Sequence, residues 1–207
     1  MRSSGLNTLD IGTADTSAPL ADRIAADLES ASDERLMALV RGELREAAFE
    51  ELVRRHSDAA YRTALACLRR RDSAEDAVQE AFLRIIRARR LYRPGMRFAP
   101  WFYTMLRNTC RDQLRRRAVR AEAPAAKTAN SETTDPCSEL VIREDCRAAC
   151  RALGQLEELD RQILALRIHG DLEFAEISTI VNLSAEATKK RAYRALQRLR
   201  EKLGGTA

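Results

Sequence analysis

The sequence predicts an all-α protein made of two small helical domains joined by a flexible linker. Three observations carry that expectation. Apolar residues recur at three- and four-residue spacing over most of the chain, the period of a helix with one buried face. Nowhere does a run alternate as a half-buried strand would, and no unit repeats. Residues 121–138 break the helical pattern with Pro124, Pro136 and a Thr-Ala-Asn-Ser-Glu-Thr-Thr-Asp run that is poor in large apolar groups.

The 207 residues exceed one typical domain and fall short of two large ones. With 45% hydrophobic and 32% charged residues the chain can bury cores, which excludes wholesale disorder and a collagen-like fibre. Residues 1–32 are rich in Ser, Thr, Gly and Asp and read as a flexible extension, in which Leu20 to Leu28 could form a helical turn or two. The first domain, 33–120, opens with Ser32-Asp33 as a cap. Leu36, Leu39 and Val40 follow, then Phe49, Leu52, Val53, Ala60, Tyr61, Ala64, Leu65 and Leu68 at helical spacing. Asp72-Ser73 starts another helix, whose stripe is Ala74, Val78, Ala81, Phe82, Ile85 and Ile86 and which ends near Arg90. Tyr92 to Pro100 holds Pro94, Gly95 and Pro100 and reads as a loop. Phe102, Leu106, Cys110 and Leu114 then recur every four residues to about Arg120. In the second domain, 139–207, four helical segments are expected near 138–153, 157–168, 173–180 and 184–203.

Basic residues outnumber acidic ones 36 to 31, and only Lys127, Lys189, Lys190 and Lys202 are lysines. Arginine makes planar bidentate contacts with phosphates and guanine edges, so a basic chain built this way points to nucleic acid, unless it reflects a high-GC coding bias. Two stretches concentrate the charge. Residues 84–120 hold twelve Arg against the single acid Asp112 and also carry Phe98, Trp101, Phe102 and Tyr103. Aromatics among guanidinium groups suit single-stranded nucleic acid, where each stacked base contributes about 1 to 3 kcal/mol. Phe102 lies on the apolar stripe and belongs to the core; Phe98 and Trp101, at the junction of loop and helix, are the candidates for base contact.

The second stretch is a helix-turn-helix: Glu173 to Ile180, a turn at Asn182, and a helix opening at Ser184. Asn tolerates the left-handed conformation and Ser is a good N-cap. Thr188, Lys189, Lys190, Arg191, Tyr193 and Arg194 follow, and cations in the first turns of such a helix suit a major groove. A merely solvated basic face is the competing reading.

The helix from Asp72 carries Asp72, Glu75, Asp76, Gln79 and Glu80 off its apolar stripe. They complement the helix dipole or form a docking face for a basic partner. A metal-dependent nuclease would need further ligands near the basic strip, and the sequence supplies none. With only His56 and His169 in the chain, Cys137, Cys146 and Cys150 do not make a zinc set, so no cofactor or metal is expected. No Gly-rich phosphate loop and no nucleophile with a His partner argue for an enzyme. Neither a signal peptide nor a membrane span is apparent, so a cytoplasmic chain without direct membrane insertion is expected. The odd number of cysteines, five, does not suit a secreted disulfide framework.

From about Ala48 to Leu203 the chain resembles the bacterial sigma factors of RNA polymerase, of the compact extracytoplasmic-function (ECF) type with domains 2 and 4 only. Asp72-Ser-Ala-Glu-Asp-Ala-Val-Gln-Glu-Ala-Phe-Leu-Arg84 is similar to the family's acidic helix that docks on the clamp helices of the largest polymerase subunit, which implies that role for Asp76, Gln79 and Glu80. Phe98-Ala-Pro-Trp-Phe-Tyr-Thr-Met-Leu-Arg-Asn-Thr-Cys-Arg-Asp112 is similar to the segment that melts the −10 promoter element. The resemblance implies that the loop from Arg93 to Arg97 captures a flipped base, with Trp101 and Asn108 near the strand. Arg111 and Arg115 of the basic strip extend this site. Leu156 to Arg167, Glu173 to Ile177 and Leu183-Ser184 are similar to domain 4, whose last helix reads the −35 duplex. Many members have Gly-Thr-Val where this chain has Glu186-Ala187-Thr188, and Gly where it has Asn182.

The implied function is transcription initiation without catalysis by the chain itself. An anti-sigma factor, often membrane-bound in this family, is the implied regulator and would hold the chain at the inner membrane face. A stand-alone helix-turn-helix regulator is the alternative. It would leave the acidic helix and the aromatic-Arg strip without a purpose.

Overall fold

Helical periodicity in the sequence becomes eight helices among the residues that the computed structural model describes, 20–42, 45–122, 149 and 151–204. They are α1 (Leu20–Ser30), α2 (Asp33–Leu39), α3 (Arg45–Leu68), α4 (Arg71–Ala88), α5 (Phe98–Glu122), α6 (Glu158–Ile168), α7 (Phe174–Val181) and α8 (Ala185–Gly204), with a 3₁₀ turn at Arg89–Leu91. Residues 151–154 are also helical, and no strand occurs among the described residues. Most of the expected linker, residues 138–148 and 150 of the segment near 138–153, and with them Cys137, Cys146 and Cys150, lie outside the described residues.

In the first domain α3, α4 and α5 pack on one another around an aromatic cluster. Phe102 stacks on Phe82 with centroids 4.9 Å apart and lies nearly parallel to Phe98 at 5.8 Å, while Phe49 meets Phe82 edge-on. Such pairs add about 0.5 to 1.5 kcal/mol each beyond their area.

Two boundaries differ from the expectation. Leu20–Ser30 is a full helix rather than part of a flexible extension: Leu28 is buried, and Arg55 of α3 holds the following turn. The Arg55 guanidinium donates to the carbonyls of Leu28, Glu29 and Ala31 and pairs with Asp33 and Glu51. That anchoring comes from a residue more than twenty positions away, which no local pattern in residues 20–32 reveals.

Helix α5 begins at Phe98, one turn earlier than read from the sequence. Pro100 falls in its first turn, where proline lacks only an N–H that has no partner anyway. Its start is secured from α2, as Glu34 accepts the Phe98 N–H at 3.1 Å.

The two domains are packed together, an arrangement the sequence did not suggest. α6 lies on α3 and α7 on α5, and their apolar residues join one buried cluster. Gly170, after α6, sits under the ring of Tyr103; a Cβ there would be 3.1 Å from the ring and 2.7 Å from the Leu166 carbonyl. The turn from α6 to α7 therefore needs a residue without a side chain.

Asp33 joins α2 to α3 through His56 at 2.6 Å and Arg55 at 2.9 Å. Burial works to raise its carboxyl, but the hydrogen bonds and charges of His56 and Arg55 outweigh that and hold it below its ordinary 3.8. A depressed carboxylate contributes stability above its unfolded value, and that contribution is lost as pH falls through the folded value. Asp33→Asn should cost about 1 to 2 kcal/mol at neutral pH. It should also weaken the dependence of stability on pH below 3.8, as read by urea unfolding across an acid series.

Candidate nucleic-acid interface

The period of α5 sorts its residues into two faces. Phe98, Phe102, Leu106 and Cys110, four apart, are buried. Arg97 just before the helix, then Trp101, Thr104, Asn108, Arg111 and Arg115, alternate by four and three and form the opposite stripe. Arg93, Arg97, Asn108, Arg111 and Arg115 are all exposed.

Trp101 is half-buried, leaning on Tyr92 at 5.1 Å with the rest of its ring in a cleft beside Pro100 and Thr104. The Tyr92 hydroxyl donates to the Met96 carbonyl and closes the loop before α5, and burial pushes that hydroxyl up to about 12. The strip thus presents cations, one amide and one indole on a fixed helical face.

Phe98 corrects the expectation of base contact. It has no exposed surface and packs between His56 and Phe102. Phe98 extends the 102–106–110 stripe by one turn, a signal masked by the Pro94, Gly95 and Pro100 that make residues 92–100 look like a loop.

On α4, Asp72, Glu75, Asp76 and Gln79 are exposed, and Leu83 stands beside them at 50% exposure. This exposed leucine, one turn from Gln79, adds an apolar group to the face that the residue types alone marked only as acidic. Glu80 differs from its neighbours, being half-buried and held by Arg84 at 3.1 Å and Arg87 at 3.5 Å. Arg84 in turn reaches Asp112 of α5 at 3.4 Å, so Glu80 works within the α4–α5 packing.

The helix-turn-helix forms as its sequence suggested. Asn182 takes the left-handed conformation at φ 60°, and Glu173 and Glu176 make a capping box at the start of α7. Ser184 accepts the Ala187 N–H at 3.1 Å. Glu186, Lys189, Lys190, Tyr193 and Arg194 then face solvent on one side of α8, with Tyr193 at 58% exposure. Lys190 pairs with Glu186 at 2.7 Å, and Lys189 lies over the Tyr193 ring at 6.0 Å.

Two residues expected to touch the duplex face inward instead. Thr188 is fully buried and donates its hydroxyl to the Ser184 carbonyl at 2.9 Å. Arg191 binds the buried Asp160 of α6 at 2.7 Å and Glu157 at 2.6 Å, with Arg198 adding a longer contact to Asp160. Positions 188, 191, 192 and 195 share the inner face of α8, and residue type alone does not separate a structural arginine from a groove-facing one.

Cys67 and Cys110 face each other across α3 and α5 at the seam between domains. Hydrogen bonding to Cys110 and burial push the Cys67 thiol well above its ordinary value, which leaves it a poor nucleophile. Among the described residues no cluster of His, Cys, Asp or Glu suits a metal, and no helix is long and apolar enough to cross a membrane.

A helical pair of domains with a cation-aromatic strip on one and a basic helix-turn-helix on the other defines a DNA-binding class of protein. Family comparison narrows it: Sigma-70 region 2 matches residues 52–120 and Sigma-70, region 4 matches residues 152–201. The RNA polymerase sigma factor CarQ of Myxococcus xanthus is 36% identical over 159 residues, 76% of this chain and 90% of the relative. The ECF RNA polymerase sigma factor SigM of Mycobacterium tuberculosis H37Rv is 30% identical, with 76% of this chain and 78% of the relative covered. Among solved structures, CnrH in complex with the cytosolic domain of CnrY is similar at TM-score 0.61 and 26% identity, covering 84% of this chain and 99% of that one. The chain belongs to the sigma-70 family, as an ECF RNA polymerase sigma factor.

The inner and outer faces of α8 should separate in mutagenesis. Arg191→Ala leaves Asp160 buried with a depleted partner set and should cost about 2 to 3 kcal/mol in denaturant unfolding. Lys190→Ala, losing one exposed pair, should change stability by less than about 0.5 kcal/mol.

Proposed function

We propose that this sigma factor docks on core RNA polymerase through the exposed face of α4. Asp76 and Gln79 supply the polar contacts, Leu83 an apolar one, and Glu80 holds Arg84 in place. The basic partner is the pair of clamp helices of the largest polymerase subunit. The strip on α5 then takes the unpaired −10 strand: Arg93, Arg97, Arg111 and Arg115 neutralise phosphates, Trp101 stacks on a base, and Asn108 reads an edge. The outward face of α8 reads the −35 duplex through Lys189, Lys190, Tyr193 and Arg194, while Ser184 offers its exposed first turn to a backbone phosphate.

The observation that carries this reading is the presence of two basic faces of different character on one chain. One is a strip of exposed cations around a half-buried indole, suited to splayed bases; the other is a helix with a single outward cationic side, suited to a groove. Strand separation needs no ATP here, because binding energy on the α5 strip offsets unpairing at flexible A·T steps.

An anti-sigma factor fits as the regulator of this chain. One similar fold, the sigma factor RpoE of Bartonella quintana, was solved in complex with the anti-sigma factor NepR, and another, CnrH, in complex with the cytosolic domain of CnrY. A cytoplasmic protein, held at the membrane only through such a partner, is the localisation this reading implies.

Co-elution with core polymerase on size exclusion tests it. Asp76→Arg should abolish stoichiometric co-elution and leave −35 duplex binding unchanged, whereas Lys190→Glu should weaken the duplex by about 1 to 3 kcal/mol and leave co-elution intact. Loss of both functions in either variant would contradict the division of surfaces. Trp101→Ala should slow promoter opening, followed by a fluorescent base in the −10 region, with recruitment unaffected.

A further inference from the structure

The seam between domains holds a cleft that the proposed DNA and polymerase surfaces do not use. It lies between α3 and the stretch from Leu153 to His169 and has a volume of about 410 Å³. Small-molecule sites run from roughly 300 to 1,000 Å³ and favour domain interfaces. The wall is aliphatic: Leu65 and Ala66 of α3 stand with Leu153, Leu164, Ala165 and Ile168, and no Phe, Tyr or Trp lines the cleft. Leu153 and Ile168 remain 41% and 63% exposed, which leaves apolar surface uncovered.

The rim is cationic. Arg62, Arg69 and Arg161 line the same cleft with His169, and among the described residues no Asp or Glu does. Arg69 takes a left-handed backbone at φ 57° just after α3 and donates across the seam to the Gly154 carbonyl at 3.3 Å. The Arg161 guanidinium donates to the Ala66 carbonyl at 3.2 Å and to the Leu156 carbonyl. These acceptors are neutral, so they fix the positive charge in place without cancelling it. Burial and repulsion from Arg69 lower the Arg161 guanidinium, with Glu158 opposing them from outside the cleft wall. Burial, with the charge of Arg62 behind it, holds the His169 imidazole below its ordinary 6.5 and therefore neutral at neutral pH.

An aliphatic wall under a rim of uncompensated cations is complementary to a hydrocarbon chain that ends in an anion. A planar ring has no aromatic side chain to stack on here. A cationic amphiphile meets guanidinium groups, and an inorganic anion leaves the leucines and Ile168 wet. A carboxylate or phosphate suits the guanidinium fork.

We propose that the cleft between α3 and α6 binds an anionic amphiphile, its chain laid along Leu65, Leu153, Leu164 and Ile168 and its carboxylate or phosphate head held by Arg62 and Arg69. The site is independent of the surfaces proposed for DNA and polymerase. Its two walls come from different domains, so a bound chain touches both.

A methyl NMR titration of the full chain, labelled at Leu and Ile, tests this with dodecanoate and dodecyl phosphate below their micelle concentrations. Dodecyltrimethylammonium carries the same chain and the opposite charge. Saturable shifts should gather on Leu65, Leu153, Leu164 and Ile168 with both anions and not with the ammonium. The tighter anion identifies the source of the head, a free fatty acid or a lipid phosphate. Decanoate should bind about 4- to 16-fold more weakly than dodecanoate, at about two- to fourfold for each of two methylenes. Arg62→Glu should weaken dodecanoate by at least about fivefold, because an ion pair is lost and a repulsion gained. Ile168→Ser should weaken it by a similar factor through the wall rather than the rim. Both positions are exposed, so the methyl signals of buried Leu36 and Leu106 should stay where they are.

Equal affinity for the ammonium, or unchanged affinity in Arg62→Glu, would overturn the proposal, since the rim would then select nothing. Shifts confined to methyls of α5 and α8 would overturn it as attraction to the basic faces. Cleft methyls that shift with protein concentration alone would give the cleft to a second copy of the chain, and the absence of saturable binding by either anion would refute the site.

Discussion

The stack of Phe102 on Phe82, continued by Phe98, sets the rotation of α5 about its own axis, and the functional faces of the first domain depend on it. A helix has a fixed angular step, so burying positions 98, 102, 106 and 110 forces 101, 108, 111 and 115 outward. The same cluster fixes α4 against α5, which turns Asp76, Gln79 and Leu83 to the opposite side of the domain. The surfaces proposed for polymerase docking and for strand capture are separate faces because one aromatic core lies between α4 and α5.

The seam between domains is of a different kind. Tyr103 and Leu166 supply apolar burial there, while the polar contacts are Arg97 to Glu176, Arg107 to Gln162, Arg69 to the Gly154 carbonyl and Arg161 to the Ala66 carbonyl. Burial lowers the guanidinium of Arg107, with Arg111 adding repulsion, and lowers that of Arg161, with Arg69 adding repulsion. An interface that gathers like charges and relies on partly exposed pairs is suited to parting, unlike the aromatic core of the first domain.

Particular residues show where a one-dimensional reading stops. The helix-turn-helix was legible because its signals are local: Asn182 for a left-handed turn, Ser184 for a cap, apolar spacing on both sides. Leu20–Ser30 was not, since a short amphipathic segment gains its stability from Arg55, a residue of another helix. Arg191 and Lys190 are adjacent and both cationic, yet a rotation of 100° about α8 sends one to buried Asp160 and the other to solvent. Pro94, Gly95 and Pro100 make residues 92–100 look like a loop and Phe98 like a junction residue, yet proline is well tolerated in a first turn, so the helix starts at Phe98 and turns it inward.

By itself the sequence determined the all-α class, the order of the helices, the two sigma regions and the residue types from which the proposed DNA and polymerase surfaces are built. These rest on periodicity, caps and composition, which act within a few residues of one another. Only the tertiary structure decided which arginines face outward, how α1 is held, and that the second domain lies over the first. Each of those outcomes depends on contacts between residues dozens of positions apart, such as Arg97 with Glu176, and on the direction in which a helix turns its side chains. Spacing along the chain carries neither.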